Sequence, residues 1–342
     1  MNNKIKIEDV DFSNLAFGKI FTDHMTVCKY ADGRWGEVKL TDYGPIELLP
    51  SISALHYGQA VFEGMKVFAG QNDKANVFRM DSHFSRLNKS LERLAMPALP
   101  KEIFDESLKS LIAADREWLR RAGQLYLRPF VFATTPYLGM APSDEYLFMV
   151  VACPVGAYYK KPLNLKVETE YSRSASGGVG FAKAAGNYAA SLYPTKLAQA
   201  SGADQVIWTD SATHKKVEES GTMNIVCVID GKIITPKTSE TILSGITRDS
   251  FLTLARQNNL EVEEKDLLVE ELISAIESGT LTELFGVGTA VTVINVESVT
   301  YQDKKYTLPL TNENSISTVF CKKLEQIKFG QEKDLNNWIT EI

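Results

Sequence analysis

Asp230-Gly231 stands between two apolar runs, Ile225–Ile229 and Lys232–Thr235. A pair of this kind takes positive φ at both positions, closes a type I′ turn and pairs the flanking strands antiparallel. A chain built on such hairpins does not read as an all-parallel, doubly wound sheet. Asp32-Gly33 is a second turn between two extended segments, and Lys66–Phe68 with Asn76–Phe78 reads as a strand pair around the polar GQNDKA stretch. Helical periods alternate with these hairpins. Phe84, Leu87, Leu91 and Leu94 share one face of a helix that starts near Asp81 and that Pro97 terminates. Ile103, Leu108, Leu111 and Trp118 mark another, ending near Gly123. Gln124–Ala133 and Tyr146–Val155 are extended, the second apolar enough for a central strand. Gln205–Thr209 is a further strand, and helices are predicted over Arg248–Gln257 and Val269–Glu277. The fold class is therefore α+β (mixed α/β).

A chain of 342 residues exceeds what one core usually organises, so two domains are expected. The AYYKKPLNLKV segment carries paired lysines and a proline between apolar runs and is the candidate linker. The boundaries are then 1–157 for a smaller N-terminal domain, 158–167 for the linker and 168–342 for a larger C-terminal domain. A net charge of -6 with no basic stripe argues against nucleic acid as a partner. Cys28, Cys153, Cys227 and Cys321 lie far apart and form no CxxC pair, which fits a reduced compartment and no metal site. The longest apolar run, Tyr146 to Ala157, is too short to span a bilayer, and the first residues lack the apolar stretch of a secretory signal. A soluble, cytoplasmic protein is expected.

The chemistry concentrates in a few places. In SASGGVGFAKAAGNYAASLYP, Ser176 to Phe181 are nearly all small and one lysine, Lys183, follows. A lone lysine is usually solvated; one set among Gly and Ala, which permit close backbone approach, is placed for desolvation and amine chemistry. In KKVEESGTMNIVCVID two carboxylates precede a Ser-Gly-Thr turn and a strand. Glu218 reads as a solvated residue; Glu219, next to the turn, is placed to face a ring nitrogen. ILSGITRDSFL runs through Ser, Gly and Thr straight into a helix, which suits a phosphate, although capping of that helix by Thr247 explains it as well. LFGVGTAVTVI lacks the third glycine and the following helix of a dinucleotide loop, so only a general anion-binding turn remains open there. Arg86 lies off the apolar face of its helix and reads as solvent-facing. Arg128 lies within an extended apolar run, where an unpaired guanidinium is costly, so an anionic partner is expected, a bound substrate among the options.

ALHYGQAVFEGMKVF, LYLRPF, CPVGAYY, GGVGFAKAAGNYAASLYP, EESGTMN, ILSGITR and FGVGTA occur in this order, and with FTDHM near the start the sequence closely resembles the branched-chain amino acid aminotransferases over nearly its whole length. The resemblance implies a two-domain, fold-type IV pyridoxal-phosphate enzyme with the cofactor at the domain interface. It makes Lys183 the Schiff-base lysine and proton carrier, Tyr188 a donor to the cofactor's phenolic oxygen and Glu219 the partner of its ring nitrogen. Arg86, Ile246, Thr247 and Thr289 correspond to phosphate-binding positions, and Thr222 and Gly245 complete the cofactor contacts. Tyr57, Phe62 and Tyr158 correspond to the substrate side-chain pocket. Tyr126, Arg128 and the backbone at Thr289-Ala290 correspond to the groups that recognise the substrate carboxylate.

The implied reaction passes the amino group of L-leucine, L-isoleucine or L-valine to 2-oxoglutarate, giving branched 2-oxo acids and glutamate. The resemblance also implies a homodimer. In one respect the sequence departs from mammalian members: their CxxC pair after GTA is replaced by Val291 to Ile294, which removes a thiol switch there. Two other readings remain: a D-amino-acid aminotransferase or aminodeoxychorismate lyase of the same fold type, and a non-catalytic binding protein.

Overall fold

The computed structural model describes residues 5–342, which fall into two compact units. The first unit runs to Tyr158 and also takes Ala182–Gly186 and Gln326–Ile342. Its sheet contains β1 (His24–Ala31), β2 (Arg34–Trp35), β3 (Lys39–Asp42), β4 (Ala60–Phe62), β5 (Met65–Ala69), β6 (Ala75–Phe78), β7 (Gln124–Ala133) and β8 (Tyr146–Pro154). From one edge the order is the Ile339–Glu341 strand, β6, β5, β7, β8, β1 and β2, with β3 beside β1 and β4 beside β7. Asp32 and Gly33 have φ of 53° and 75°, as a type I′ turn between β1 and β2 requires.

Strand periodicity decides what each face of this sheet does. Along β7, Leu125, Leu127, Val131 and Ala133 join a core completed by Leu87 and Leu91 of α2 (Met80–Arg93, after the short α1, Ser53–Tyr57), Leu108 and Leu111 of α3 (Lys101–Ala114), and Trp118 of α4 (Arg116–Ala122). The intervening residues Tyr126, Arg128 and Phe130 project from the other face. The sequence predicts one helix ending near Gly123, but two are present. They divide at Asp115, whose buried carboxylate accepts the backbone N–H of His24 and pairs with its Nδ1 at 2.6 Å. Asp is a weak residue inside a helix because its carboxylate competes for backbone donors, and here a distant strand supplies one.

The second unit comprises Tyr159–Phe181 and Asn187–Glu325. Its strands are β9 (Leu163–Val167), β10 (Gln205–Thr209), β11 (Lys216–Ser220), β12 (Met223–Ile229), β13 (Lys232–Pro236), β14 (Val262–Lys265), β15 (Leu267–Leu268), β16 (Leu281–Gly288), β17 (Thr292–Tyr301) and β18 (Lys304–Thr307). The order β12, β16, β17, β9, β10, β11 closes on itself because β11 also pairs with β12. Closure leaves those strands without open edges. All of β12 is buried, which is why its sequence is an unbroken apolar run. Asp230 and Gly231 have φ of 50° and 77° and bring Ile229 opposite Lys232, the I′ hairpin expected. Leu163–Val167 is a paired strand of this sheet, where the sequence suggests linker: its alternating Leu, Leu and Val side chains are buried in the second core. The elements α5 (Ala185–Ala200), α6 (Ile246–Gln257), α7 (Val269–Ser278) and α8 (Ile316–Lys328) complete the helices, and no helix among the described residues is long and apolar enough to cross a membrane.

Candidate active site

Lys183 belongs to the first unit, and its backbone is fastened on both sides. Its N–H donates to Ser90 Oγ of α2 at 3.0 Å, and its carbonyl accepts the N–H of Phe62 in β4 at 3.1 Å. Ala184 forms an isolated antiparallel bridge with Val61. Ala182 and Ala184 are both buried, so the small residues around the lysine are what let this segment lie against strand and helix. The side chain is half-buried, with Nζ 4.4 Å from the centre of the Phe62 ring.

The same ring carries a second cation. Arg128 Cζ lies 4.6 Å from the centre of Phe62 and 5.3 Å from that of Tyr126, and its Nη2 donates to the Tyr126 hydroxyl at 3.2 Å. Arg128 Nε is buried and has no hydrogen-bond partner among the described residues. Phe17 packs edge-on against Tyr126 at 4.9 Å and Tyr158 at 4.8 Å, and burial pushes the Tyr158 phenol above its ordinary range. These residues form an aromatic wall around a guanidinium. The sequence does not single out Phe17, one of several apolar residues between Asp11 and Phe21 where no chemistry-bearing motif marks it. Tyr57 is exposed and its hydroxyl donates to the Leu138 carbonyl.

Arg86 differs from the sequence reading. It is buried rather than solvent-facing, because Glu63, fully enclosed, accepts its Nε at 2.7 Å and its Nη2 at 2.9 Å. His83, one turn earlier on α2, places Nδ1 2.7 Å from the same carboxylate. Burial alone raises the carboxyl pKa of Glu63, but the charge of Arg86 and the hydrogen bonds of both partners outweigh it and hold the group well below the usual range. Burial keeps His83 neutral, so Nδ1–H is the donor.

In the second unit, Glu219 lies near the end of β11, buried, with Oε2 2.7 Å from Arg173 Nε. Its Oε1 accepts Asn224 Nδ2 at 3.2 Å and the Leu243 N–H at 2.9 Å. Arg173 also donates to the carbonyls of Gly180 and Thr241. The sequence singles out neither Arg173 nor Asn224; an Arg just before the small-residue run is the available sign. Glu218 is buried and accepts the Thr241 hydroxyl, which corrects its reading as solvated.

The phosphate-type turn also takes a different form from ordinary capping. Gly245 is the N-cap of α6 and no side chain caps that helix; Thr247 lies within the first turn, buried. A Cβ on Gly245 would come within 1.8 Å of Asn224 Oδ1, so only glycine fits. The first N–H groups of α6 thus point from an uncapped end, where the helix dipole favours an anion. Ile246 is buried beside it; Thr222 is exposed between β11 and β12. Thr289 and Ala290 form the half-buried turn of the β16–β17 hairpin, so FGVGTA leads into a strand, as its lack of a dinucleotide signature implied. Tyr188 is half-buried on α5, its carbonyl accepting Ser191 Oγ. No cluster able to hold a metal occurs among the described residues.

The amino-transferase class IV family matches residues 60–299. The chain is 42% identical to branched-chain-amino-acid transaminase 1 of Bacillus subtilis, over 98% of this chain and 96% of that one. It is 40% identical to a branched-chain-amino-acid aminotransferase of Mycolicibacterium smegmatis, over 96% and 93%. The crystal structure of a branched-chain aminotransferase from the thermophilic archaeon Thermoproteus uzoniensis with norvaline superposes with a TM-score of 0.75 at 26% identity, covering 93% of this chain and 99% of that one. A lysine fastened among small residues, a buried carboxylate and an uncapped helix start therefore sit in a chain that belongs to the class IV aminotransferases.

Proposed function

We propose that the protein is a pyridoxal-phosphate-dependent branched-chain-amino-acid aminotransferase that exchanges the amino group of L-leucine, L-isoleucine or L-valine with 2-oxoglutarate. One observation carries the reading: Lys183 Nζ and the Arg128 guanidinium approach the same Phe62 ring, at 4.4 and 4.6 Å, and Arg128 has a buried nitrogen without a partner. An amine beside an unsatisfied guanidinium in an aromatic wall suits a substrate with a carboxylate and an apolar body.

The donor set fits the cofactor. The uncapped start of α6, with Gly245, Ile246 and Thr247, suits its phosphate, and the family resemblance adds Arg86, Thr222 and Thr289 to the residues that would contact the cofactor. When bound, pyridoxal phosphate supplies an aldehyde for the substrate amine and a ring that accepts the electron pair left on Cα. Lys183 would hold the cofactor through Nζ and, with the same atom once freed, would carry the proton taken from the substrate Cα. Glu219, paired with Arg173, would face the ring nitrogen and hold a proton there, and Tyr188 would donate to the phenolic oxygen. Arg128 and Tyr126 would hold the substrate carboxylate, with the Thr289-Ala290 backbone added by the family resemblance, while Phe62, Tyr158 and Tyr57 would face its side chain. The protein works as a homodimer in the cytoplasm.

A spectrum of the purified protein titrated with L-leucine tests this directly. The visible cofactor band is expected to give way to that of the pyridoxamine form, and Lys183→Ala should lack the starting band. Activity on D-alanine with none on the three L-amino acids, or no band that depends on Lys183, overturns the reading.

A further inference from the structure

We propose that Glu63 is a positioning residue for cofactor binding: it fixes the plane of Arg86 so that the outer edge of the guanidinium meets the phosphate at a set distance from Lys183. The inference rests on the pyridoxal-phosphate reading above. Glu63 follows β4 directly, with its N–H on the Pro129 carbonyl at 2.7 Å and its side chain fully enclosed. Its carboxylate takes the Nε and Nη2 edge of Arg86, so the two planar groups are locked in register. His83 and the N–H of Gly64 at 3.1 Å occupy Oε2 as well, and the carboxylate cannot rotate without losing them.

The same two elements hold Lys183. β4 supplies the Phe62 N–H to its carbonyl, and α2 supplies Ser90 Oγ to its N–H. Ser90 Oγ in turn donates to the Arg86 carbonyl at 3.0 Å. Glu63 therefore ties the end of the strand that bonds Lys183 to the helix that bonds Lys183 and carries Arg86. A buried guanidinium needs a counter-charge anywhere; a bidentate one, locked by a neutral histidine, also fixes direction. Because Glu63 already balances the charge of Arg86, what Arg86 offers the phosphate depends on alignment.

The test compares how the apoprotein binds pyridoxal phosphate and pyridoxal, which lacks the phosphate, by absorbance and fluorescence titration in wild type, Glu63→Gln and Glu63→Asp. In wild type the phosphate-bearing form should bind far more tightly. Both variants should lose about tenfold or more of that preference, the equivalent of one misaligned charge-assisted hydrogen bond, while pyridoxal itself binds within about threefold of wild type. Glu63→Asp retains the charge and shortens the arm, so it carries the test if Glu63→Gln does not fold. An unchanged preference in Glu63→Asp, or equal losses for both ligands, shows a merely structural role and overturns the proposal. A wild-type protein that forms no Lys183-dependent band overturns the aminotransferase reading itself and this inference with it; a normal wild-type band with the wrong ratios overturns this inference alone.

Discussion

Gly64 leaves the space that the Tyr126 hydroxyl occupies: a Cβ at this glycine would lie 1.8 Å from that oxygen. The hydroxyl accepts from Arg128, so the glycine indirectly sets where the guanidinium points.

Gly64→Ala should therefore displace Tyr126 and Arg128 together. Overpacking at a buried site costs about 1–3 kcal/mol, and the melting temperature should fall accordingly. The KM for amino acid and 2-oxo acid should rise roughly tenfold, the loss of one aligned contact to the carboxylate. Steady-state kinetics beside a thermal melt would show both; a variant with altered stability and wild-type KM would sever Tyr126 from carboxylate recognition.

Arg128→Met is expected to behave in the opposite way on stability. No carboxylate pairs with Arg128 among the described residues, so replacing it by an apolar chain removes a desolvated charge and should leave the melting temperature equal or higher. The value of kcat/KM should drop about 30- to 100-fold, as expected for a lost charge-assisted contact. A marked fall in thermal stability would show that Arg128 serves the fold.

Glu218 gives a pH signature. Burial raises its carboxyl pKa more than the Thr241 hydroxyl and Arg173 lower it, so the folded value exceeds the unfolded one. An acid of this kind burdens the native state once pH passes its unfolded value, and the burden is complete above the folded one. Glu218→Gln should melt higher than wild type at pH 8, and the difference should close below about pH 4. Melts across that range check the sign; a variant less stable at pH 8 contradicts it.

The cysteines should be quiet. Burial pushes Cys28 and Cys153 up to about 11 and Cys227 up to about 12. At pH 8 a thiol with pKa 11 is ionised in roughly one molecule per thousand. Iodoacetamide at that pH should label at most Cys321 in the folded protein, with activity retained. Peptide mass mapping would read it, and rapid labelling of Cys153 would count against a closed core.

The sequence shows some parts of this architecture and hides others for physical reasons. Gln124–Ala133 and Gln205–Thr209 are legible to the residue, since alternation and apolar runs report burial directly. Both Asp-Gly turns are legible because their φ values admit few residues. The break at Asp115 is not, since it depends on His24, ninety-one positions away. Arg86 looks exposed for the same kind of reason: periodicity marks it polar, and only Glu63 makes its burial tolerable. Lys183, Glu219 and the Gly245 turn stand out through unusual neighbours, whereas Arg173, Asn224 and Phe17 act through contacts that no local pattern records.

The allotment of Ala182–Gly186 to the first unit, while the chain on both sides of it belongs to the second, bears on how such a protein can be inherited. A gene cut once near Tyr158 would hand the N-terminal unit on without the lysine segment that bridges Val61 and without the terminal strand that pairs with β6. No single recombination junction separates the two units intact. Exchange of one unit for a homologous one therefore needs several coordinated crossovers, and the chain is constrained to diverge as a whole.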